Sequence, residues 1–279
     1  MSSEVLRVID PRGYFATFFK EGIYPDGRGL LDEQKLVFKQ GECGGVGSAV
    51  VSTQGVTVSC SIQASVSLAS DAALVDVEIE PSLQLSEKDA DDYNNLLLTL
   101  FTKEFYIKRE NLRCRNTTDE PLPLDWQLHV SVKVLSLEGS LLDSVVCAIG
   151  AALADVKLPS IVLNHASADE SAIEKSQILV DDRTMHRLRL EEPLMACTFG
   201  IFVTSRPDEV KPTEVLLLAP TTEAISVCSA TCLVIVGKDD EVVMVRERGT
   251  IAMFRLLDKM CKITAERRRK FAEALKRTN

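Results

Sequence analysis

The clearest pattern in the chain is a predicted strand followed directly by a predicted helix, within residues 126–159. Apolar and polar residues alternate over 126–135 with frequent β-branched side chains, which predicts a strand with one buried face. Glu138-Gly139 marks a turn. Residues 141–153 are small or apolar at nearly every position. They predict a helix packed closely against a sheet, with Asp143 as its N-cap.

Other periodic segments precede and follow this unit. Strands are predicted over residues 35–39, 48–52, 56–62, 74–79, 161–163, 172–180, 187–190, 196–203, 214–218, 230–236 and 242–246. Helices are predicted over 10–20, 87–108 and 251–275, and loops over 63–73 and 113–124. Strands predominate early in each half with helices after them, which favours an α+β class. We expect two lobes, residues 1–157 and 158–279.

The composition is that of a globular protein, with 279 residues of which 46% are hydrophobic and 26% charged. The N-terminus lacks the pattern of a signal peptide, and no apolar run reaches the ~20 residues of a membrane-spanning helix. Eight cysteines lie mostly inside apolar segments without a C-x-x-C pair. We therefore expect reduced core cysteines in an intracellular protein.

The net charge of −9 argues against a nucleic-acid binder that acts alone, because phosphate neutralisation needs basic side chains. RNA contact then requires a local basic patch or partner subunits. Lys108, Arg109, Arg113 and Arg115 form one such cluster on a predicted loop, and we expect them to face RNA. The basic run 267–270 in the last helix favours a solvated face, with a nuclear-import or RNA-facing patch as the alternative.

The sequence lacks several familiar catalytic motifs. Residues 44–48 are glycine-rich but lack the lysine of a nucleotide phosphate loop, so a hairpin turn is favoured. His129, His165 and His186 lack partners at metal-ligand spacing, which favours structural roles. No G-x-S-x-G motif supplies a hydrolase nucleophile.

An ordered set of short motifs runs through the whole chain. The motifs are Pro25-Asp26-Gly27-Arg28 and the segments 47–50, 55–60, 111–159, 216–221 and 249–250. In this order they resemble the RNase PH-like subunits that form the hexameric ring of the RNA exosome. The resemblance implies two β-α-β-rich lobes related to domain 2 of ribosomal protein S5. Active members of the family are phosphorolytic 3′→5′ exoribonucleases, in which carboxylates hold a divalent metal ion.

The sequence departs from the active members at the positions that the resemblance assigns to catalysis. A gapless comparison places Ala219 and Ile225 where active relatives carry metal-binding aspartates. Glu223 lies nearby, but a single carboxylate is a poor magnesium site. Active relatives also place arginines at the start of the long helix of the first lobe, where this chain has the acid-rich residues 87–92. The resemblance therefore implies a structural subunit that is not an enzyme and holds no metal ion or cofactor.

The partners implied by the resemblance are other RNase PH-like subunits in a hexameric ring, S1/KH-type cap subunits, and single-stranded RNA in the central channel, with no membrane contact. The implied setting is RNA processing and degradation in the nucleus, the nucleolus and the cytoplasm. An active phosphate-dependent exoribonuclease remains the alternative, with Asp208, Glu214 or Glu223 replacing the missing ligands. A small-molecule kinase of S5-like fold would need a glycine-rich phosphate loop at a helix start, which the sequence lacks.

Overall fold

The computed structural model describes residues 3–53, 55–68, 74–102, 105–164, 177–204, 213–249 and 254–278. The helices are α1 (Ser3–Ile9), α2 (Pro11–Lys20), α3 (Glu87–Thr102), α4 (Leu141–Asp155), α5 (Thr222–Val227) and α6 (Phe254–Thr278). The strands are β1 (Val37–Gln40), β2 (Gly47–Thr53), β3 (Val56–Leu68), β4 (Val75–Glu80), β5 (Arg113–Arg115), β6 (Pro121–Leu137), β7 (Lys157–Asn164), β8 (Gln177–Arg187), β9 (Met195–Thr204), β10 (Thr213–Leu218), β11 (Ala230–Val236) and β12 (Val242–Gly249). This mixture of helices and grouped strands confirms the predicted α+β class.

The first sheet has the strand order β1-β2-β3-β6-β4, and β5 pairs with β6 at its margin. Neighbouring strands are antiparallel except for β4 and β6, which are parallel. Helix α4 packs on β2 and β3. A Cβ atom added to Gly47 would lie 2.7 Å from the Ala152 carbonyl oxygen, so only glycine permits this close approach. The small residues of α4 therefore allow the helix to pack closely against β2 and β3, as their pattern predicted.

The second sheet has the antiparallel order β10-β9-β11-β12, and β7 with β8 forms a separate hairpin. Helix α4 also contacts β9, and α6 packs on β9 and β11. One hydrophobic cluster extends across these elements. Because the fully buried helix α4 lies against both sheets, it joins them through one core. Among the described residues, no helix is both long and apolar enough to cross a bilayer.

The N-terminal helices build a second, smaller core. Helix α2 begins at Pro11, one residue after the predicted start, and Asp10 is its N-cap, accepting a hydrogen bond from the Gly13 backbone N–H. Tyr14, Phe15 and Phe19 pack with Phe202 of β9. The helix is thereby fixed to the second sheet. Helix α1, which precedes it, was not predicted.

Three predicted element boundaries are wrong. Residues 63–68 belong to β3, because pairing with the long strand β6 continues to Leu68 opposite Leu124. The predicted loop 113–124 contains β5 and the start of β6. Helix α3 ends at Thr102 rather than at residue 108. In the first two cases small or polar side chains concealed a backbone that is stabilised by pairing with distant residues.

Two further corrections concern local structure. The N-cap of α4 is Ser140 rather than Asp143, which lies buried in the first turn of the helix. Residues 188–190, predicted as strand, follow the end of β8 at Arg187. Helix α5 was not predicted at all. Parts of the predicted segments 63–73, 172–180 and 251–275 lie outside the described residues.

Candidate functional site

Ala219 and Ile225 lie on either side of the turn that joins β10 to α5. Ile225 lines a cleft of about 160 Å³. We call it the Ile225 cleft; its lining residues are Tyr93, Gly139, Ser140, Leu141, Leu142, Thr198, Ile225, Thr231, Leu233, Arg246 and Arg248. Ala219 is outside this lining, and its carbonyl oxygen accepts hydrogen bonds from Gln34 Nε2 at 3.0 Å and Arg28 Nη2 at 3.3 Å. The structure therefore brings only one of the two positions to the cleft.

The Ile225 cleft has cations but, among its described lining residues, no carboxylate. Arg246 and Arg248 approach from β12, and the buried Ser140 hydroxyl lies at the start of α4. Burial raises the pKa of Tyr93, and the charges of Arg248 and Arg246 oppose this rise. The cleft therefore has cations although the start of the long helix lacks the arginines of active relatives. The sequence did not reveal them because β12 is remote in sequence from Tyr93 and from the start of α4.

The nearby carboxylates do not complete a metal site. Glu223 is exposed and accepts a hydrogen bond from Arg7 Nε at 2.8 Å. Glu214 is exposed on β10, and Asp208 lies outside the described residues. No cluster of three or more His, Cys, Asp or Glu side chains that could hold a metal ion occurs in the described ranges. The donor set around Ile225 therefore does not fit a divalent metal ion.

The start of α3 is acidic, as the sequence predicts. Glu87 and Asp89 lie in its first turn. The Ser86 hydroxyl accepts a hydrogen bond from the Asp89 backbone N–H at 3.2 Å and donates one to Asp89 Oδ2 at 2.7 Å. Acidic side chains here stabilise the positive end of the helix dipole and compete with any anion. This helix start is therefore not a phosphate site.

The four basic residues predicted to face RNA do lie together. Lys108, Arg109, Arg113 and Arg115 line a trough of about 670 Å³. Arg113 and Arg115 also line an adjoining cavity of about 290 Å³, to which Arg187 and Arg189 contribute. We call the two cavities together the arginine seam, with the cationic members Lys108, Arg109, Arg113, Arg115, Arg187 and Arg189. The sequence placed Arg187 and Arg189 in a predicted strand of the second lobe and did not indicate that they lie beside this cluster.

All four of the predicted residues are engaged with acidic side chains. Asp125 is buried, and its carboxylate lies 3.5 Å from Arg113 Nε and 3.6 Å from Arg109 Nη2. Lys108 Nζ lies 3.2 Å from Glu191, and Arg115 Nη1 lies 3.0 Å from Asp119. Each cation of the predicted cluster therefore has a local role besides any contact with RNA.

The basic run 267–270 of α6 is divided, because Arg269 and Lys270 are exposed whereas the two arginines before them are packed. Arg267 and Arg268 are buried. Arg267 Nη1 donates to Cys197 Sγ at 3.3 Å, and Arg268 Nη2 donates to Asp240 at 2.9 Å. The expected solvated face is therefore wrong for these two arginines, and so is the alternative of an RNA-facing patch. Helical periodicity alone did not reveal which side of α6 meets the second sheet.

Asp143 connects α4 to the second sheet. Its carboxylate accepts hydrogen bonds from Thr198 Oγ1 at 2.7 Å and from the Thr198 backbone N–H at 3.0 Å. Burial raises the pKa of Asp143 to about 6, although the positive charge of Arg267 opposes that rise. Because Thr198 lines the Ile225 cleft, Asp143 supports one wall of that cleft from inside the core.

The described histidines make local polar contacts. His129 Nδ1 lies 3.0 Å from Asp76 on an exposed sheet face, and His186 Nε2 lies 2.7 Å from Ser160 Oγ. His165 lies outside the described residues. All eight cysteines are free thiols; five are buried as expected, whereas Cys228 and Cys261 are partly buried and Cys43 is exposed.

Comparisons with known proteins agree with this architecture. Residues 39–159 match the family model of the 3′ exoribonuclease family, domain 1. A chain of an archaeal exosome core is 19% identical with a TM-score of 0.70, and the match covers 99% of this chain and 100% of that one.

Two further solved structures have the same fold. A chain of the Archaeoglobus fulgidus exosome with RNA bound to the active site is 18% identical with a TM-score of 0.70, covering 97% of this chain and 99% of that one. Rrp46 of rice (Oryza sativa) is 12% identical with a TM-score of 0.60, covering 91% of this chain and 99% of that one. The chain therefore has the RNase PH-like fold that the motifs predicted.

Proposed function

We propose that this protein is a catalytically inactive structural subunit of the hexameric ring of the RNA exosome. In this role it supports 3′→5′ processing and degradation of RNA, including ribosomal RNA maturation and messenger RNA decay, by forming part of the channel through which RNA is threaded. The observation that carries the proposal is the carboxylate-free lining of the Ile225 cleft within the described residues. Phosphorolysis by a metal-dependent route needs anionic ligands for the metal ion.

The fold supports ring membership. Chains of two archaeal exosome structures match nearly the whole length of this one. The hairpin of β7 and β8 and the outer strand β12 carry exposed apolar side chains, among them Leu179, Val180, Met185 and Val242. Apolar surfaces of this kind commonly mark contacts between proteins. The partners proposed are other RNase PH-like subunits, S1/KH-type cap subunits and single-stranded RNA.

The proposed position in the ring is that of ribosomal RNA-processing protein 43. The segment from Tyr14 to Arg28, together with Leu112 and residues 141–143, most resembles that member. The members numbered 42 and 45 are the neighbouring possibilities. The proposed location follows from the same assignment and comprises the nucleus with its nucleolus and the cytoplasm.

Two measurements test the proposal. First, co-purification followed by mass spectrometry should recover other RNase PH-like subunits in equal amounts. The isolated chain should self-associate in sizing experiments, because ring edges bury large surfaces. A stable, monodisperse monomer would contradict obligate membership of a ring.

Second, the full chain and its partner complex should be assayed for phosphate-dependent degradation of labelled RNA in the presence of Mg²⁺. We expect no activity that depends on this chain. Activity that Glu223→Ala abolishes would instead establish the alternative, an active phosphorolytic exoribonuclease. One observation favours that alternative: Arg246 and Arg248 lie beside the N-terminus of α4, a combination suited to an anion.

A further inference from the structure

We propose that a cleft between residues 33–38 and the second half of helix α6 binds a protein segment that presents a carboxylate beside a large apolar side chain. We call it the Arg267 cleft, after the buried arginine in its lining; its volume is about 270 Å³. It shares no described lining residue with the Ile225 cleft or the arginine seam. This inference goes beyond the proposed function and does not rest on it.

The Arg267 cleft is built by two parts of the chain that are distant in sequence. The rings of Phe38 and Phe271 meet edge to face between the two sides, with their centroids 5.7 Å apart. Lys270 Nζ lies 2.9 Å from Glu33 Oε1 and links the same two segments. Because both contacts join α6 to the segment that leads into β1, the cleft is part of the packed fold rather than a gap beside a loop.

The side chain of Arg267 carries the argument for a charged ligand. Arg267 is only 6% exposed, and its Nη1 group donates to Cys197 Sγ, a weak acceptor, at 3.3 Å. Its Nε and Nη2 groups make no hydrogen bond with a described residue. Neither group is among the fully buried polar atoms that lack a partner, so both are open to the cleft. A buried guanidinium with N–H groups facing a cavity is suited to a carboxylate.

The next residue of the helix shows what Arg267 lacks. Arg268 is equally buried and donates to two carboxylates. Arg267 forms no ion pair with a described carboxylate. Asp143 acts on it through its charge alone, because the side-chain hydrogen bonds of Asp143 go to Thr198. A buried charge without a close partner is unfavourable, so a carboxylate entering the cleft supplies a partner that the chain itself does not.

The charge of the cleft lining is opposite in sign to that of the whole chain. Its described lining has the three cations Lys35, Arg267 and Lys270 and the single carboxylate Glu33, in a chain of net charge −9. Lys270 is paired with Glu33, whereas Lys35 is exposed and forms no ion pair with a described residue. This excess of positive charge complements an acidic segment of a partner protein.

The remaining walls of the cleft are apolar. Leu36, Phe38, Met195 and Phe271 lie beside the arginine, so the group that carries the carboxylate meets hydrophobic side chains. Small-molecule sites usually measure ~300–1,000 Å³, and this cleft is smaller. It therefore suits one or two side chains of a peptide. A nucleic acid would instead need a row of cations for successive phosphates.

The first test varies the ligand. Fluorescein-labelled, amidated peptides of equal length and Gly-Ser background carry an Asp-Phe, an Asn-Phe or an Asp-Ser pair, and fluorescence anisotropy measures their binding to the full chain. The Asn-Phe peptide should bind about 10- to 100-fold more weakly than the Asp-Phe peptide, because it lacks the charged acceptor for Arg267. The Asp-Ser peptide should bind about 10-fold more weakly, because it buries less apolar surface. Equal binding of all three peptides overturns the proposal.

The second test varies the cleft at its exposed rim, since replacing the buried Arg267 itself could unfold the chain. Lys35→Gln should weaken binding of the Asp-Phe peptide about 2- to 5-fold, and Glu33→Gln should strengthen it by a similar factor, because the two changes alter the local charge in opposite directions. The control Lys276→Gln removes the same charge at the exposed end of α6, outside the cleft, and should leave the affinity unchanged. Equal effects of Lys35→Gln and Lys276→Gln overturn the proposal.

A third variant blocks the cleft without removing a charge. Ala274 lines the cleft and is only partly buried, so Ala274→Phe should fill the cavity and abolish peptide binding. Thermal denaturation of this variant confirms that it folds. Full binding by the folded Ala274→Phe variant overturns the proposal. Displacement of the Asp-Phe peptide by an oligouridylate at equal concentration overturns it too, in favour of a nucleic-acid ligand.

Discussion

The Ile225 cleft and the arginine seam both contain arginines, but the acidic side chains are distributed differently between them. The described lining of the Ile225 cleft has Arg246 and Arg248 and no carboxylate. In the seam, Asp125 lies between two arginines, and Asp119 pairs with a third. Metal-assisted phosphoryl chemistry needs anionic ligands as well as cations, whereas holding RNA needs an excess of cations. The comparison therefore distinguishes a cleft whose described lining has no metal ligand from a surface with an excess of cations.

The largest expected effect is at Asp143, which supports the wall of the Ile225 cleft. Asp143→Ala should lower the free energy of unfolding by about 3–5 kcal/mol, because it leaves two Thr198 donors without an acceptor and removes the negative charge that interacts with the buried Arg267. Chemical denaturation measures the loss. The control Val145→Ala, in the same helix, removes only apolar volume; an equal loss in both variants would show that Asp143 has no electrostatic role.

The next largest effect is a pH dependence of folding stability, caused by the same carboxyl group of Asp143. Its pKa is about 6 in the folded chain and about 3.9 when unfolded, so the folded state holds the proton more tightly. The contribution of Asp143 to stability is therefore greatest below about pH 4 and falls by about 3 kcal/mol as the pH rises to above 6.

Denaturation curves across this pH range should show the decline in the parent protein. Asp143→Asn keeps an acceptor for Thr198 but does not titrate, so the decline should be absent in that variant. The same decline in both proteins would assign it to other groups.

A smaller effect is expected in the seam. Asp125→Asn should lower the free energy of unfolding by about 1–2 kcal/mol, because its partners Arg109 and Arg113 are 36% and 48% exposed and solvent screens them. The same change should strengthen oligouridylate binding, since it removes a negative charge from the seam. Weaker binding with unchanged stability would contradict the expectation that Lys108, Arg109, Arg113 and Arg115 face RNA.

The smallest effect is at Ala219, outside the lining of the Ile225 cleft. Ala219 has a φ of +46°, a left-handed conformation that glycine adopts without strain. Ala219→Gly should change stability by less than about 1 kcal/mol, because relief of strain is offset by loss of a buried methyl group. Ala219→Val should be clearly destabilising, since a β-branched residue tolerates this conformation poorly. Thermal denaturation of the two variants distinguishes these outcomes.

Much of the fold was predictable where the spacing of apolar residues in the sequence matches the buried face of a strand or helix. The strand and helix of residues 126–153 and the capped helix α2 follow directly from local pattern. The prediction failed for residues 63–68 and for strand β5, where polar side chains occupy a paired backbone. Hydrogen-bond pairing with a distant strand leaves little trace in such a segment, because the stabilising partner is elsewhere in the chain.

The sequence by itself determined that Ala219 and Ile225 cannot bind a metal ion, and it determined that Lys108, Arg109, Arg113 and Arg115 form a basic cluster. Side-chain chemistry is a local property, so such conclusions need no fold. Only the tertiary structure decided where charges from remote segments meet. It placed Arg246 and Arg248 in the Ile225 cleft, and Arg187 and Arg189 in the arginine seam. The physical reason is that electrostatic interaction depends on distance and burial, which folding alone establishes.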